Sequence, residues 1–527
     1  MYKNGNVNYR KLLAPLALLS GLLYFFRPWF HSVILSLYVN PFIFQIALII
    51  GGSLVGYILY YREDSTEEDD EQIDDWQRVS ISGGKLRAAA TIFFVLFAAG
   101  GVLNTAFTNV VMAEEVQNDL TEIDKLPDID NTNPRILPRT VASEFAENSL
   151  QEPRHKLGPS DIAIGGNGTP YWSHPLQPDG DINSFLIEQK GAAFADMTTS
   201  SANISYSEQE MDVGIGMQVF DNINWVLKKE KYWVNYEDHF VLEHKGENYI
   251  ATPYIEYDFE FTFPIVHTVP KWGGVALTDS EGNVEYIEAE DVRNNEVLKD
   301  QRAYPFDLAR GYVSAMEYRE GIINKWFLHE NQLEVAPVPG FNNEQPFMIL
   351  TEDNPELFVA TEPYGEASGL FEIWTIDAVT GKYEVYRLDR NQGLIGANRA
   401  VNFVKQANSR VNWADQDGGT GFAPIEPLPV IVDDKLYWQV RVVPLDSAGI
   451  AFTSFVEAES SNVFSAQTDE EIVDFLEGEP INQTANLTTE NSTTEEGEVK
   501  ISIIENGEVI ETVTTETGNF SIDVTRR

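Results

Sequence analysis

The sequence of 527 residues contains no cysteine. Disulfide bonds are therefore excluded, as are catalytic thiols and zinc or iron–sulfur sites that depend on cysteine ligands. The sequence also lacks the short motifs that mark zinc metalloproteases, serine hydrolases, phosphate-binding loops and dinucleotide-binding folds. These absences remove several classes of enzyme, and no reaction is evident from the residues that remain.

Basic residues are scarce. The chain has 36 lysines and arginines against 82 aspartates and glutamates, which gives a net charge of −46. A surface this acidic repels nucleic acid and anionic lipid headgroups, so we expect no nucleic-acid partner. Such a surface suits a halophilic protein, because high salt screens the repulsion between carboxylates. An ordinary acidic surface protein is the alternative.

Three long apolar runs stand near the N-terminus. They cover about residues 12–30, 42–61 and 88–111, within a membrane domain that we place at residues 1–112. A run of about 20 apolar residues matches the thickness of a bilayer core when it forms a helix, because a helix satisfies its own backbone hydrogen bonds. The sequence therefore predicts three transmembrane helices that fix the chain in a lipid bilayer.

The basic residues beside these runs predict their orientation, since lysine and arginine next to a span favour the cytoplasmic side. They lie before the first run and between the second and third: Lys3, Arg10, Lys11, Arg62, Arg78, Lys85 and Arg87. We therefore expect a protein of the cytoplasmic membrane with a cytoplasmic N-terminus, in which the third run exports everything after about residue 113. Alternatively, the third run is an internal signal that is cut after Ala113.

Acceptor sequences for N-glycosylation agree with this orientation, because all of them lie beyond residue 113. They are Asn167, Asn203, Asn482, Asn486, Asn491 and Asn519. Three of the six fall in a segment rich in threonine and glutamate, at residues 481–497. This composition is typical of an exposed stalk.

Three segments of the exported part share one pattern, at residues 273–287, 373–386 and 451–466. Each has an apolar strand that ends in Thr278, Asp377 or Glu457, followed four positions later by a small residue. The small residues are Gly282, Gly381 and Ser461. A small residue suits a left-handed turn, and the alternation of apolar residues predicts a half-buried β-hairpin in each segment.

The remaining pattern predicts the domain organisation. Residues 113–160 are rich in proline and predict an extended lead-in beside the domain. Three α+β modules follow, at residues 161–300, 301–395 and 396–480, and a β-hairpin tail at residues 498–527 ends the chain. Helices are predicted at residues 304–332 and 398–413, and after a capping box formed by Thr468 and Glu471.

The hairpin IDAVTGKYEV at residues 376–385 resembles the closing element of PepSY-type domains, and the strands at 436–444 and 449–464 resemble the same end of such a module. The resemblance implies a curved antiparallel sheet packed on a helix, in extracytoplasmic modules that bind or restrain other proteins. It supplies no catalytic residues. The expected fold class is therefore α+β, with N-terminal transmembrane helices, extracytoplasmic modules of curved antiparallel sheet packed on helices, and a C-terminal β tail.

Two acidic loops offer hard oxygen ligands at alternate positions, which is the chemistry that calcium prefers. One contains Asp179, Asp181 and Asn183, and the other contains Asp415 and Asp417. In so acidic a chain such clusters also arise by chance. No other cofactor is expected.

The sequence thus favours a non-enzymatic, membrane-anchored surface protein that binds or assembles with envelope components, either other surface proteins or copies of itself. A cellular and a viral envelope are equally compatible with it. The alternative is an extracytoplasmic hydrolase, or a regulator of one, that acts on surface protein or glycan. A cleft that holds His174, His239 or His267 beside a buried aspartate would favour the alternative.

Overall fold

A computed structural model describes residues 18–64, 83–127, 129, 132–339, 345–351, 354–365, 369–388, 393–414, 420–479, 498–505 and 508–516. This part of the chain mixes helices with several antiparallel sheets, as the α+β prediction requires. The sheets and their helices between residues 120 and 479 are called the body below.

Four sheets build the body. The first comprises His155–Leu157, Asp161–Ile164, Pro170–Pro178, Gln189–Asp196 and Ile204–Met211. The second comprises Asn235–Tyr236, Phe240–His244, Glu247–Thr262, Ile265–Thr278 and Val284–Glu288. The third comprises Thr121–Ile123, Leu333–Val335, Phe347–Leu350, Pro355–Pro363, Glu372–Asp377 and Tyr383–Arg387, and the fourth comprises Phe422–Val432, Lys435–Pro444, Phe452–Glu457 and Val463–Ala466. The predicted module at 161–300 therefore contains two sheets rather than one.

Helices cover the faces of these sheets. The α-helices of the body are Arg139–Ser149, Asn183–Leu186, Ile223–Glu230, Phe306–Ala315, Gly321–Ile323, Ala397–Ala407 and Asp469–Leu476. Short 3-10 turns lie at Val219–Asp221, Ala289–Asn294 and Met316–Tyr318, and a π-helical turn lies at Asn324–Leu328. The tail forms the strands Glu498–Glu505 and Glu508–Glu516, which pair as a hairpin around the predicted Asn506-Gly507 turn, itself outside the described residues.

The three predicted hairpins are confirmed. Their strands pair in antiparallel fashion, and the small residue of each turn has the left-handed conformation, with φ of +83° at Gly282, +71° at Gly381 and +63° at Ser461. In the second turn the carboxylate of Asp377 accepts hydrogen bonds from the backbone amides of residues 379 and 380, both at 2.8 Å. The first turn is one residue shorter than predicted, because the amide of Gly282 donates to the carbonyl of Asp279 and not to that of Thr278.

Replacing Gly381 with alanine should lower the free energy of unfolding by about 2–4 kcal/mol. A Cβ atom there would overlap the ring of Tyr304, which is buried and holds its hydroxyl 2.9 Å from that of Tyr383. Gly246→Ala is the matched control, since it has a similar φ of +85° but open space around the new methyl group. Gly246→Ala should lower the free energy of unfolding by only about 1 kcal/mol, which is the cost of the backbone strain. Equal shifts of the two urea midpoints would contradict the overlap.

Two predicted helices are shorter in the structure. In the segment predicted at 304–332 the α-helix ends at Ala315 and passes into the 3-10 turn Met316–Tyr318. Gly321, with a φ of +85°, then separates this part from the short turns that follow. The helix predicted at 398–413 ends at Ala407. The third begins as predicted: Thr468 accepts from the amide of Glu471, and Ile472, Phe475 and Leu476 are buried. The Glu471 carboxylate, however, accepts from the amide of residue 467 and not from that of Thr468.

The lead-in does not lie beside the body but passes through it. It supplies a strand at Thr121–Ile123, which pairs in parallel with Tyr383–Arg387, and the helix Arg139–Ser149. Between them Ile136 and Leu137 are fully buried, and both amides donate to the carbonyl of Met197 in the first sheet. The proline-rich sequence here therefore forms an irregular segment that is buried in the core and not a surface strap.

The apolar N-terminal segments form helices, with two differences from the prediction. The helix that begins in the described chain at Leu18 bends by 67° around Arg27–Phe30 and continues as His31–Tyr38. Phe42–Asp64 covers the second predicted span, and Gly83–Asp119 extends beyond the third. Among the described residues, the helix Thr91–Asp119 is long and apolar enough to cross a membrane. The two helices on either side of the bend reach that length only if they are taken as one span, and Phe42–Ser53 is a shorter apolar helix.

The helix Gly83–Asp119 connects the apolar segments with the body. Its last turns bury Met112, Ala113 and Val116 in a core shared with the helix Phe306–Ala315. Glu115 accepts a hydrogen bond of 2.9 Å from the hydroxyl of Tyr312 and pairs with Lys271. Cleavage after Ala113 would cut this helix inside a packed core, so the geometry favours an uncleaved helix.

Candidate functional site: a charged cleft where the four sheets meet

A cleft of about 400 Å³ lies where the lead-in meets all four sheets. Its volume falls in the range that small ligands or short peptide segments occupy. The walls concentrate charge of both signs: Arg135, Arg139, Arg302 and Arg310 face Asp161, Glu237, Asp238, Asp307 and Glu426. Four arginines in one cleft are notable because the whole chain has only 36 basic residues.

Glu426 organises the side of the cleft formed by the fourth sheet. It lies at an irregularity of the strand Phe422–Val432, and its φ of +41° is strained for a residue with a side chain. This backbone turns its carboxylate toward the lead-in, where it pairs with Arg135 at 3.3 Å and accepts the amide of Arg139 at 2.7 Å. The Arg139 side chain donates from Nε to Ser160 at 2.9 Å.

Asp161 and Arg302 form the opposite side of the cleft. Their ion pair is 2.5 Å long, and the Arg302 side chain is only 2% exposed. The guanidinium also stacks over the rings of Phe240 and Phe306, at 5.0 and 4.4 Å from their centroids. The Nε atom of Arg302 is buried without a hydrogen-bond partner. This arginine is therefore held rigidly while retaining one unused donor.

Glu237 has a carboxyl group with a strongly raised pKa in the cleft. Burial, together with the nearby carboxylates of Asp307 and Asp238, raises its pKa to about 7. Because the folded state holds this proton more tightly than the unfolded chain, its contribution to stability is complete below about pH 4.5 and is lost as the pH rises toward 7. At neutral pH the group is therefore poised between its acid and its base form.

His239 lines the cleft but both of its ring nitrogens are occupied. Nε2 lies 2.8 Å from the amide nitrogen of Asn224 and accepts its proton, so Nδ1 carries the hydrogen that it donates to Thr252, also at 2.8 Å. Burial lowers the pKa of His239 to about 4. The ring is therefore a neutral structural group and not a free general base.

Replacing His239 with glutamine should reduce the amount by which the free energy of unfolding falls in acid. A histidine with a lowered pKa contributes stability above its unfolded value of 6.5, and that contribution is lost as the pH falls toward 4. The amide keeps an acceptor and a donor but does not titrate. Urea unfolding at pH 7 and at pH 4 should show that the variant loses about 2 kcal/mol less than the original chain. Equal losses would contradict a neutral buried ring.

The other two histidines named above lie elsewhere. His174 is 1% exposed, and burial lowers its pKa to about 4, but it does not line the cleft. His267 lies beside the apolar helices, with Nε2 3.1 Å from the hydroxyl of Thr262. The structure thus brings His239 into a cleft with Asp161 and Asp238, but without a hydrogen bond to either aspartate.

The loop with Asp179, Asp181 and Asn183 is exposed, and cationic side chains already face two of its oxygens. Lys156 lies 3.7 Å from the Asp179 carboxylate, and Arg154 donates to Asn183 Oδ1 at 3.1 Å. Across the described residues, no three or more histidines, aspartates or glutamates are grouped as a metal site. Calcium at this loop stays a prediction, and Asp415 and Asp417 lie outside the described residues.

Two of the predicted glycosylation positions are described. Asn167 and Asn203 are both exposed, and the Asn203 amide nitrogen donates to Asp196 at 3.0 Å. The remaining four, Asn482, Asn486, Asn491 and Asn519, lie outside the described residues. Glycosylation therefore stays a prediction at all six.

Sequence reasoning missed the charged residues of the cleft. They come from separate stretches between residues 135 and 428, so no local motif joins them. The available signal was the arginine pair in NPRILPR at residues 133–139, since two arginines around a buried Ile-Leu are unusual in a chain so poor in basic residues. The chain matches no protein-family model and no curated protein. The resemblance to PepSY-type modules thus stands on the hairpins alone.

Proposed function

We propose that the chain is a membrane-anchored surface protein whose body binds or assembles with other envelope components through the charged cleft. The observation that carries this proposal is the cleft itself, which gathers ion pairs and two arginines, Arg135 and Arg302, whose Nε donors have no hydrogen-bond partner, in a space of ligand size. Fixed groups of both signs suit a polar partner segment that offers both donors and acceptors.

The arrangement of the apolar helices supports the anchoring. The bend at Arg27–Phe30, the start of Phe42–Asp64 and the end of Gly83–Asp119 all contact the body. Such contacts agree with the predicted topology, because that topology puts the bend and the end of Gly83–Asp119 on the same side as the body. On that topology residues 65–82 lie on the opposite, cytoplasmic side, and the body projects outward.

A photo-crosslinker placed in the cleft tests the binding. Because the chain has no cysteine, Asp307→Cys offers a single thiol for a benzophenone at the cleft wall. Glu320→Cys is the matched control, exposed at the other end of the same helical segment. In native membranes at high salt, we expect an adduct of defined mass, with another protein or a second copy, from the Asp307 position only. Adducts from neither position, or from both equally, would reject the cleft as the binding site.

One observation favours the hydrolase as a second candidate. A carboxyl group with a pKa near 7 beside two further carboxylates is an arrangement that serves general acid–base chemistry. On this alternative Glu237 transfers the proton, and Glu237→Gln abolishes turnover of surface protein or glycan while leaving the crosslink at Asp307 intact. Absence of turnover by the original chain would exclude this candidate.

A further inference from the structure

Six large apolar side chains of the body are exposed on the side that carries the apolar helices. They are Phe185, Phe220, Trp233, Phe259, Phe261 and Phe263, and we call them the rim. All are at least half exposed, and Phe263, at the tip of the long hairpin of the second sheet, is 82% exposed. Full burial of one such side chain contributes about 1.5–3 kcal/mol. A cluster of this kind on one side of a body marks an interaction surface.

Contacts with the apolar helices fix the position of the rim. The ring of Phe220 lies 5.9 Å from that of Phe25, and Tyr38 lies 4.9 Å from Trp233 and 5.0 Å from Phe259. Beside the hairpin tip, Ile265 packs against Phe42 and Ile46 of the helix Phe42–Asp64. Phe185 adjoins Phe220, because the amide of Gln218 donates to the carbonyl of Ser184 at 2.9 Å. The rim therefore begins where the helices meet the body and is continuous with their exposed apolar faces.

Basic residues border the rim. The helix Ile223–Glu230 ends in Lys228 and Lys229, and Lys231 follows. The ammonium group of Lys229 lies 4.1 Å from the centroid of the Phe25 ring, and Arg27 donates to the Lys229 carbonyl. Lys231 is paired with Glu256 at 2.6 Å, and Asp258 and Glu260 are exposed beside Phe259, so the border of the rim carries charge of both signs. Aromatic rings with adjacent lysines are the composition that membrane–water interfaces favour.

We propose that the body is seated on the bilayer through the rim, with the hairpin tip at Phe263 inserted at the level of the headgroups. This inference rests on the proposed membrane anchoring. A lipid bilayer is the occupant because the rim is continuous with helix faces that themselves require lipid. The helices are then not a flexible tether, and the body has a fixed orientation.

The test uses the full chain in nanodiscs of phosphatidylcholine and phosphatidylglycerol whose acyl chains carry bromine, a fluorescence quencher. Single cysteines labelled with bimane replace Phe263 and Phe185 in the rim, Phe94 in the helix Gly83–Asp119, and Leu445 at the exposed end of a strand of the fourth sheet. Phe94 reports the anchor itself, and Leu445 is the exposed apolar control, since the fourth sheet contributes no rim residue.

The inference predicts loss of fluorescence at Phe94 and at both rim positions, and none at Leu445, relative to nanodiscs without bromine. Quenching at Phe94 without quenching at both rim positions would overturn the seating while leaving the anchor in place. No quenching at Phe94 would overturn the anchor, and the seating with it. Equal quenching at Leu445 would show that the loss of fluorescence does not report the rim and would also overturn the inference.

Discussion

Replacing Arg441 with methionine should lower the free energy of unfolding by about 3–5 kcal/mol, although methionine fills much of the same space. Arg441 is fully buried in the fourth sheet, and its guanidinium donates to three backbone carbonyls. These are the carbonyls of Ile136 at 3.2 Å, Glu426 at 3.0 Å and Arg135. Methionine leaves all three without this donor in the interior, where unpaired polar groups are costly.

This arginine also ties the lead-in to the strand that carries Glu426. Its loss should therefore loosen the cleft as well as the core. The yield of the crosslink from position 307 should fall, and so should the urea concentration at which half of the protein is unfolded. Arg399→Met is the control, because Arg399 is exposed on the helix Ala397–Ala407 and its replacement should change stability by no more than about 0.5 kcal/mol. Equal urea midpoints for the two variants would contradict the role given to Arg441.

Replacing Trp438 with alanine should lower the free energy of unfolding by about 3–5 kcal/mol, because it leaves a cavity between the third and fourth sheets. The side chain is fully buried, and its ring stands at 88° to that of Phe358, with centroids 6.3 Å apart. Its Nε1 atom donates to the carbonyl of Ile395 at 2.8 Å. The tryptophan thus connects two sheets that the sequence assigned to separate modules.

Trp438→Phe separates the contribution of packing from that of the hydrogen bond to Ile395. Phenylalanine keeps most of the packing but leaves the Ile395 carbonyl without its donor, so it should cost about 1–3 kcal/mol. Trp326→Ala is the matched control, since Trp326 is 39% exposed and its removal should cost clearly less than that of Trp438. If Trp438→Ala unfolded at the same urea concentration as Trp326→Ala, the two sheets would not share a core.

Local features of the fold were predictable from the sequence because short-range physics determines them. A left-handed turn needs a small residue, and the alternation around Gly381 and Ser461 leaves a hairpin as the simplest solution. The capped helix after Thr468 follows from the same kind of local hydrogen bonding. The first turn differs by one residue because Asp279, a better acceptor for turn amides, replaces Thr278.

The lead-in and the cleft depend on contacts that are distant in sequence. Burial of Ile136 is decided by Met197 and Arg441, and nothing near residue 136 encodes either partner. The position of Glu426 in the cleft follows from an irregular strand backbone, which hydrophobic periodicity does not reveal. The bend at Arg27–Phe30 likewise reflects contacts with Tyr232 of the body, although Pro28 was a local signal for it.

The central claim is that this chain is a membrane-anchored protein that binds an envelope component. Purification from native membranes in mild detergent at high salt, with the mass and composition of the purified species, tests it most directly. The account predicts a stoichiometric complex, with another protein or with further copies of the chain, that Arg139→Gln in the cleft disrupts and Arg399→Gln on the surface preserves. Recovery of a lone monomer, or of the chain in the aqueous fraction without detergent, would contradict it.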